Sequence, residues 1–162
     1  MDVIFDVDGT LLDISHRLHW LGLSESTTPS ERAKPSNSKN WKEFRKPELK
    51  VHDFPIKPVV TVMNSLYRDG HRILIVSGRI ESEEEDTIKS LSILSPYVRS
   101  LPTYFRSDTD YRPDYEMKKT ALMKIKRDGY DPVLAFDDRP NVIKMWKEHG
   151  ILVADVGKGV DF

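Results

Sequence analysis

Val3-Ile4-Phe5-Asp6-Val7-Asp8-Gly9-Thr10-Leu11 begins as an apolar run and breaks onto two acids and a glycine. A short β-rich run at this position predicts a buried strand rather than a helix. Two carboxylates two residues apart point the same way if the strand stays regular. Gly9 permits a tight backbone turn directly after them. The Asp-x-Asp-Gly pattern also occurs in ordinary turns and calcium loops. The calcium-loop spacing is not met, and no bidentate glutamate follows at the required offset.

Three further runs repeat the pattern: Arg72-Ile73-Leu74-Ile75-Val76, Val133-Leu134-Ala135-Phe136, and Ile151 to Val156. Nearly continuous apolar runs suit strands buried on both faces of a parallel sheet. Helical spacing lies between them. Val59-Val60, Val62-Met63 and Leu66-Tyr67 lead to Gly70; Met117, Ala121-Leu122 and Ile125 lead to Gly129; Val142-Ile143 and Met145-Trp146 lead to Gly150. The acidic cluster of residues 81–86 suits the first turn of another helix. The alternation predicts an α/β fold with a central parallel sheet flanked by helices. Three strands end in polar groups, Asp6-Val7-Asp8, Ser77-Gly78-Arg79 and Asp137-Asp138. Ligands of open parallel sheets bind outside the carboxyl ends of the strands, so these groups are expected to meet there.

Residues 13–58 break the alternation and read as a small helical insertion over the crevice, within a single domain spanning 1–162. Ser24 to Ser30 and Lys34 to Ser38 are loop-like. His16, Leu18, Trp20, Leu21 and Leu23 suggest one short helix, and Trp41 and Phe44 another. The 162 residues suffice for a sizeable core. A net charge of −1 argues against a protein that coats nucleic acid through bulk charge. The absence of cysteine removes disulfides, thiolate zinc sites and cysteine nucleophiles. No apolar run reaches membrane-spanning length, and Met1-Asp2-Val3 has no secretory character, so a cytoplasmic protein is expected.

Each candidate residue has an ordinary reading beside the chemical one. Ser77-Gly78-Arg79 offers a hydroxyl and free backbone N–H groups to a phosphate, yet Ser-Gly is a common turn. Lys118 and Lys119 are expected to open the helix before Ala121. A lysine there opposes the helix dipole and suits a bound phosphate, although a solvated pair is the plainer reading. Asp137-Asp138 sets two acids side by side after a buried strand, where they repel and lose hydration. A divalent cation relieves that cost, and Mg2+ favours carboxylates with water and phosphate oxygens. A helix N-cap at Asp138 ahead of Pro140 explains one acid but not both.

In this order the pieces resemble the haloacid dehalogenase (HAD) superfamily of phosphohydrolases, a Rossmann-like fold: Phe5-Asp6-Val7-Asp8-Gly9-Thr10-Leu11, then Ser77, Lys118 and Asp137-Asp138. The resemblance implies that Asp6 is a nucleophile forming an aspartyl-phosphate and that Asp8 is the general acid and base, protonated when it donates to the leaving oxygen. It implies Mg2+ held by Asp6, the backbone carbonyl of Asp8, and Asp137 or Asp138. It places Thr10, Ser77, Gly78 and Lys118 on the phosphate.

A narrower resemblance runs through Arg106 to Lys118, Ala135 to His149 and the closing Gly159-Val160-Asp161-Phe162. These stretches are similar to the phosphatase domain of bacteriophage polynucleotide kinase-phosphatases, which remove 3′-phosphates from nucleic-acid ends. That implies 3′-phosphorylated DNA or RNA ends as substrate, with Arg79, Arg106 and Arg112 on the substrate side or in supporting roles. No Gly-x4-Gly-Lys-[Ser/Thr] kinase motif occurs. Segment 13–60 carries nine Lys/Arg against six Asp/Glu. Trp20 and Trp41 could stack on bases, although packing of the insertion is the plainer role. The alternatives are a small-molecule phosphatase such as a 5′(3′)-nucleotidase, or a catalytically silent binding module.

Overall fold

The computed structural model describes residues 1–23 and 40–157. The loop-like stretches of the insertion, Ser24 to Ser30 and Lys34 to Ser38, and the closing Gly159 to Phe162 lie outside the described residues. In chain order the strands are β1 (Asp2–Phe5), β2 (Leu12–Asp13), β3 (Phe54–Pro55), β4 (Arg72–Ile80), β5 (Thr103–Arg106), β6 (Pro132–Asp137) and β7 (Leu152–Asp155). The helices are α1 (Trp41–Phe44), α2 (Pro47–Lys50), α3 (Lys57–Arg68), α4 (Glu84–Ser92), α5 (Asp114–Arg127) and α6 (Pro140–Glu148), with a 3-10 helix at Ser15–Leu21.

Five strands form one sheet in the order β5-β4-β1-β6-β7, and every pairing is parallel. Alternation along the strands assigns the two faces. Val3, Phe5, Ile73 and Ile75 pack against Val59, Val60 and Met63 of α3 and Leu91 of α4. Ile4, Leu74, Val76 and Ala135 pack against Met117, Leu122 and Ile125 of α5 and Met145 and Trp146 of α6. A strand covered on both faces favours apolar residues, which is why Val3-Ile4-Phe5 of β1 reads as an apolar run, while Asp2 at its start is buried against Arg72. Phe5 and Phe136 stack across the strand pair, 4.4 Å between ring centroids.

The chain leaves β1 toward β4 and β5, then returns to the other side of β1 for β6 and β7. The strand order therefore reverses between β1 and β6, the position where open α/β sheets bind ligands. Asp6 follows β1 directly and Asp137 ends β6, with Asp6 N–H donating to the Phe136 carbonyl at 3.1 Å.

The expected elements differ from the observed ones at several edges. β4 does not stop at Val76; it runs through Ser77, Gly78 and Arg79 to Ile80, with its register against β5 shifting after Ser77. β5 is a fifth strand without a clear signal of its own. Helix α5 begins at Asp114, so Lys118 lies in its second turn instead of opening it. The insertion is rooted by β2 and β3, which pair antiparallel. Its own small core comprises Ile14, Leu21, Leu23 and Phe44, with Trp20 packed against it. Trp41 is exposed at its surface.

Candidate active site

The motif after β1 folds as a tight turn. The Val7 carbonyl accepts from the N–H groups of Thr10, Leu11 and Leu12, and Gly9 N–H returns to the Leu12 carbonyl. Gly9 has φ +86°, and a Cβ there would stand 2.1 Å from Asp138 Oδ2. Glycine is thus demanded twice, by the backbone and by the approach of the late acid. Gly157, beyond β7, approaches from the other side: a Cβ on it would meet the Asp138 carbonyl oxygen at 2.1 Å.

Asp6, Asp137 and Asp138 come together although the first two stand 131 positions apart in sequence. One carboxylate oxygen from each lies within 4.8 Å of the others, and all three residues are buried. Lys118 Nζ donates to Asp6 Oδ1 at 2.8 Å and to Asp137 Oδ2 at 2.9 Å, itself fully buried. Burial pushes the Asp6 carboxyl up, the negative charge of Asp137 adds to this and Lys118 opposes it, and the balance lies at about 7. Burial and the charge of Asp6 likewise hold Asp138 well above the carboxylate range. Burial alone would lower Lys118, but Asp137, Asp6 and Asp114 outweigh it and keep the ammonium charged.

The two late acids differ in their surroundings. Asp137 accepts four donors: Lys118 Nζ and Trp146 Nε1 on Oδ2, and the backbone N–H groups of Asp138 and Arg139 on Oδ1. Asp138 Oδ1 is buried with no hydrogen-bond partner. A buried carboxylate oxygen left unsatisfied is costly, and a cation removes the cost. The donor set of three clustered acids, one of them with a free oxygen, therefore fits a hard divalent ion such as Mg2+. The capping alternative for Asp138 is not adopted; Arg139 is the N-cap of α6, and its side chain makes no capping bond.

Asp8 turns away from this cluster onto arginines. Arg79 donates through Nε to both carboxylate oxygens at 3.1 Å and through Nη2 to Oδ1 at 2.6 Å; Arg17 Nη2 reaches Oδ1 at 2.9 Å. Burial would raise Asp8, but the two guanidinium groups outweigh it and hold the carboxyl well below its usual range. The sequence reading has Asp8 carrying a proton when it serves the leaving group; the paired guanidinium groups favour its anionic form in the resting arrangement. Asp53, at the foot of the insertion, binds both arginines, accepting from Arg17 Nε at 2.8 Å and Arg79 Nη2 at 2.7 Å.

The remaining candidates divide. Ser77 is fully buried, and its Oγ accepts from Arg79 N–H at 3.2 Å. Thr10 is fully buried with its hydroxyl unpartnered. Gly78 leaves no room for a side chain, because Asp114 Oδ1 would lie 2.4 Å from its Cβ. Arg106 is a brace: it donates to the carbonyls of Gly78, Asp110 and Arg112 and to Asp114 Oδ1. Arg112 lies apart from the acids, paired with Asp110 and half exposed. Sequence reasoning missed Arg17, Asp53, Asp114 and Trp146. Asp114 links Arg106, Lys118 and Arg139. His16 bonds Asp53 at 3.0 Å.

A sequence model described as the polynucleotide kinase PNKP phosphatase domain matches residues 36–162. The match begins beyond Asp6 and Asp8, so the first motif adds to it independently. Among solved structures, a chain of the Pnkp1/Rnl/Hen1 RNA repair complex is 24% identical with a TM-score of 0.69 over 99% of this chain. This chain spans 43% of that one's length. A haloacid dehalogenase-like family hydrolase from Streptococcus pneumoniae is 17% identical with a TM-score of 0.67, covering 99% of this chain and 87% of its own. Both share the fold. A five-stranded parallel sheet with buried acids at its switch point, together with the family match, defines a HAD-type phosphatase. Within that class the chain belongs to the polynucleotide kinase PNKP phosphatase domain family.

Proposed function

We propose that this protein is a Mg2+-dependent phosphomonoesterase that works through an aspartyl-phosphate on Asp6 and acts on 3′-phosphorylated nucleic-acid ends. The observation that carries the reading is the buried triad of Asp6, Asp137 and Asp138 at the β1/β6 switch, with Lys118 bonded to two of its members.

Asp6, Asp138 and the backbone carbonyl of Asp8 would hold the ion, with Asp137 fixed beside them by its four donors. Bound there, Mg2+ neutralises phosphate charge and favours the ionised form of Asp6. Lys118 keeps its charge and orients one oxygen of Asp6, leaving the other free for in-line attack on phosphorus. Gly78 and Ser77, late in β4 where its register against β5 shifts, would offer backbone and hydroxyl groups to the phosphate. The attack transfers the phosphoryl group to Asp6 and leaves the ester oxygen in need of a proton. Asp8 supplies it: an incoming phosphate dianion competes for Arg79 and Arg17, weakens their hold and moves Asp8 back toward protonation. Returned to the anion, Asp8 takes a proton from the water that cleaves the aspartyl-phosphate.

Support for a nucleic-acid end comes from the family and from the repair-complex relative. Turnover of a 3′-phosphorylated oligonucleotide, its 5′-phosphorylated counterpart and free 3′- and 5′-mononucleotides at matched concentration tests it. The expected result is preference for the 3′-phosphorylated oligonucleotide, abolished by chelator; preference for free 5′-mononucleotides would replace this reading with that of a nucleotidase.

A further inference from the structure

We propose that Trp146 is a positioning residue of the active site, whose indole N–H fixes the Asp137 carboxylate and through it aligns Lys118 with Asp6. The inference rests on the phosphatase reading above.

Trp146 is fully buried on α6, among the apolar side chains that cover one face of the sheet. Packing alone accounts for its ring. It does not account for the polar edge. Trp146 Nε1 donates to Asp137 Oδ2 at 3.0 Å, the same oxygen that accepts from Lys118 Nζ at 2.9 Å. Lys118 extends the chain to Asp6 Oδ1 at 2.8 Å. Three consecutive bonds thus join the middle of the hydrophobic core to the proposed nucleophile, through groups that are all buried.

Geometry explains why the indole matters. The backbone N–H groups of Asp138 and Arg139 pin Asp137 Oδ1, and this leaves the carboxylate able to pivot about that oxygen. Two donors arriving at Oδ2 from different helices, α5 and α6, remove the pivot. Without the indole N–H, Lys118 alone would determine where Oδ2 lies. Lys118 also interacts with Asp114, 3.7 Å away, and so could settle off its line to Asp6. A buried indole N–H does not find a partner by default in this protein: Trp20 Nε1 is buried and has none. Outer-shell donors that orient a site's carboxylates are typically worth roughly 10–100-fold in activity or metal affinity.

The test replaces Trp146 in the full chain with β-(3-benzothienyl)alanine, which keeps the ring's shape and substitutes sulfur for the N–H; Trp146→Phe accompanies it. The expected result for the isostere is near-native melting, kcat on an aryl phosphate lowered roughly 10-fold or more at saturating Mg2+, and a smaller change in KM. Wild-type kcat and Mg2+ dependence in the isostere would overturn the proposal while leaving the phosphatase reading intact. An NMR readout stands apart from turnover. The Trp146 indole 1H–15N resonance of the metal-free protein, assigned by its loss in the isostere, is expected to move in Lys118→Met, because the two donors share one oxygen. An unmoved resonance in folded Lys118→Met would overturn the link even if no ester were hydrolysed.

Discussion

Asp137 and Asp138 are neighbours in sequence with opposite surroundings, one oxygen pair saturated by four donors and the other acid with a bare buried oxygen. Substitution is expected to separate them. Asp138→Asn raises the Mg2+ concentration for half-maximal turnover by roughly 10-fold or more. Asp137→Asn leaves that concentration nearer native, lowers kcat at saturating Mg2+ roughly 10-fold or more by releasing Lys118, and lowers the melting temperature, since removing one partner of a buried charge pair costs about 3–5 kcal/mol. Mg2+ titrations and thermal melts of both variants check this, and identical profiles would refute the division. Asp8→Asn is expected to slow turnover roughly 10²–10⁴-fold. The loss should be smallest for aryl esters whose leaving group departs without a proton, and an equal loss on alkyl and aryl esters would contradict its acid role. At this scale the sequence was informative where chemistry forces a local pattern: paired acids after an apolar run are costly unless used. Arg17, Asp53 and Trp146 carried no such mark. An arginine in an irregular insertion and a tryptophan at helix-core spacing look ordinary until the fold brings their polar atoms to Asp8 and Asp137.

The elements explain how an insertion becomes part of the site. The 3-10 helix Ser15–Leu21 carries Arg17, whose side chain is 1% exposed, stacks 4.3 Å over the Phe44 ring and bonds both Asp8 and Asp53. Arg17→Ala leaves the Asp53 carboxylate, almost fully covered, and the partly buried Asp8 carboxylate each short of a partner. It is expected to lower the melting temperature and to reduce turnover by roughly 10-fold or more, because Asp8 is then held from one side only. Native melting and turnover would show that the insertion is dispensable to the site. Strands β1, β4 and β6 were legible because parallel central strands are nearly continuous apolar runs, and β7, at a sheet edge, because it lies in the run from Ile151 to Val156. β5 was not: Thr103 to Arg106 is four residues at a sheet edge, half-buried at its first two positions, and lacks both a run and a clean alternation. The start of α5 was misplaced because Asp114, partly buried and paired with Arg106, Lys118 and Arg139, belongs to the helix rather than to the loop before it.

At the scale of the molecule, one region stores unfavourable charge that ion binding would relieve. Burial lifts Asp6 to about 7, and Asp138 is raised as well. A carboxyl raised in the folded state contributes stability below its unfolded pKa, and that contribution is lost as pH rises through the folded value. The metal-free protein is therefore expected to lose part of its stability between about pH 4 and pH 7 from these groups. Mg2+ competes with the same protons, so the rise in melting temperature on replacing EDTA with Mg2+ should be larger at about pH 8 than at about pH 5.5. A rise independent of pH would mean that the ion does not engage these acids. The covalent step is tested most directly by acid-quenching the protein during turnover, reducing with borohydride, and mapping the product by tandem mass spectrometry. The account predicts homoserine at position 6, the reduction product of an aspartyl-phosphate, and none in Asp6→Asn. An unmodified Asp6 in actively hydrolysing protein, or modification at Asp8 instead, would contradict it.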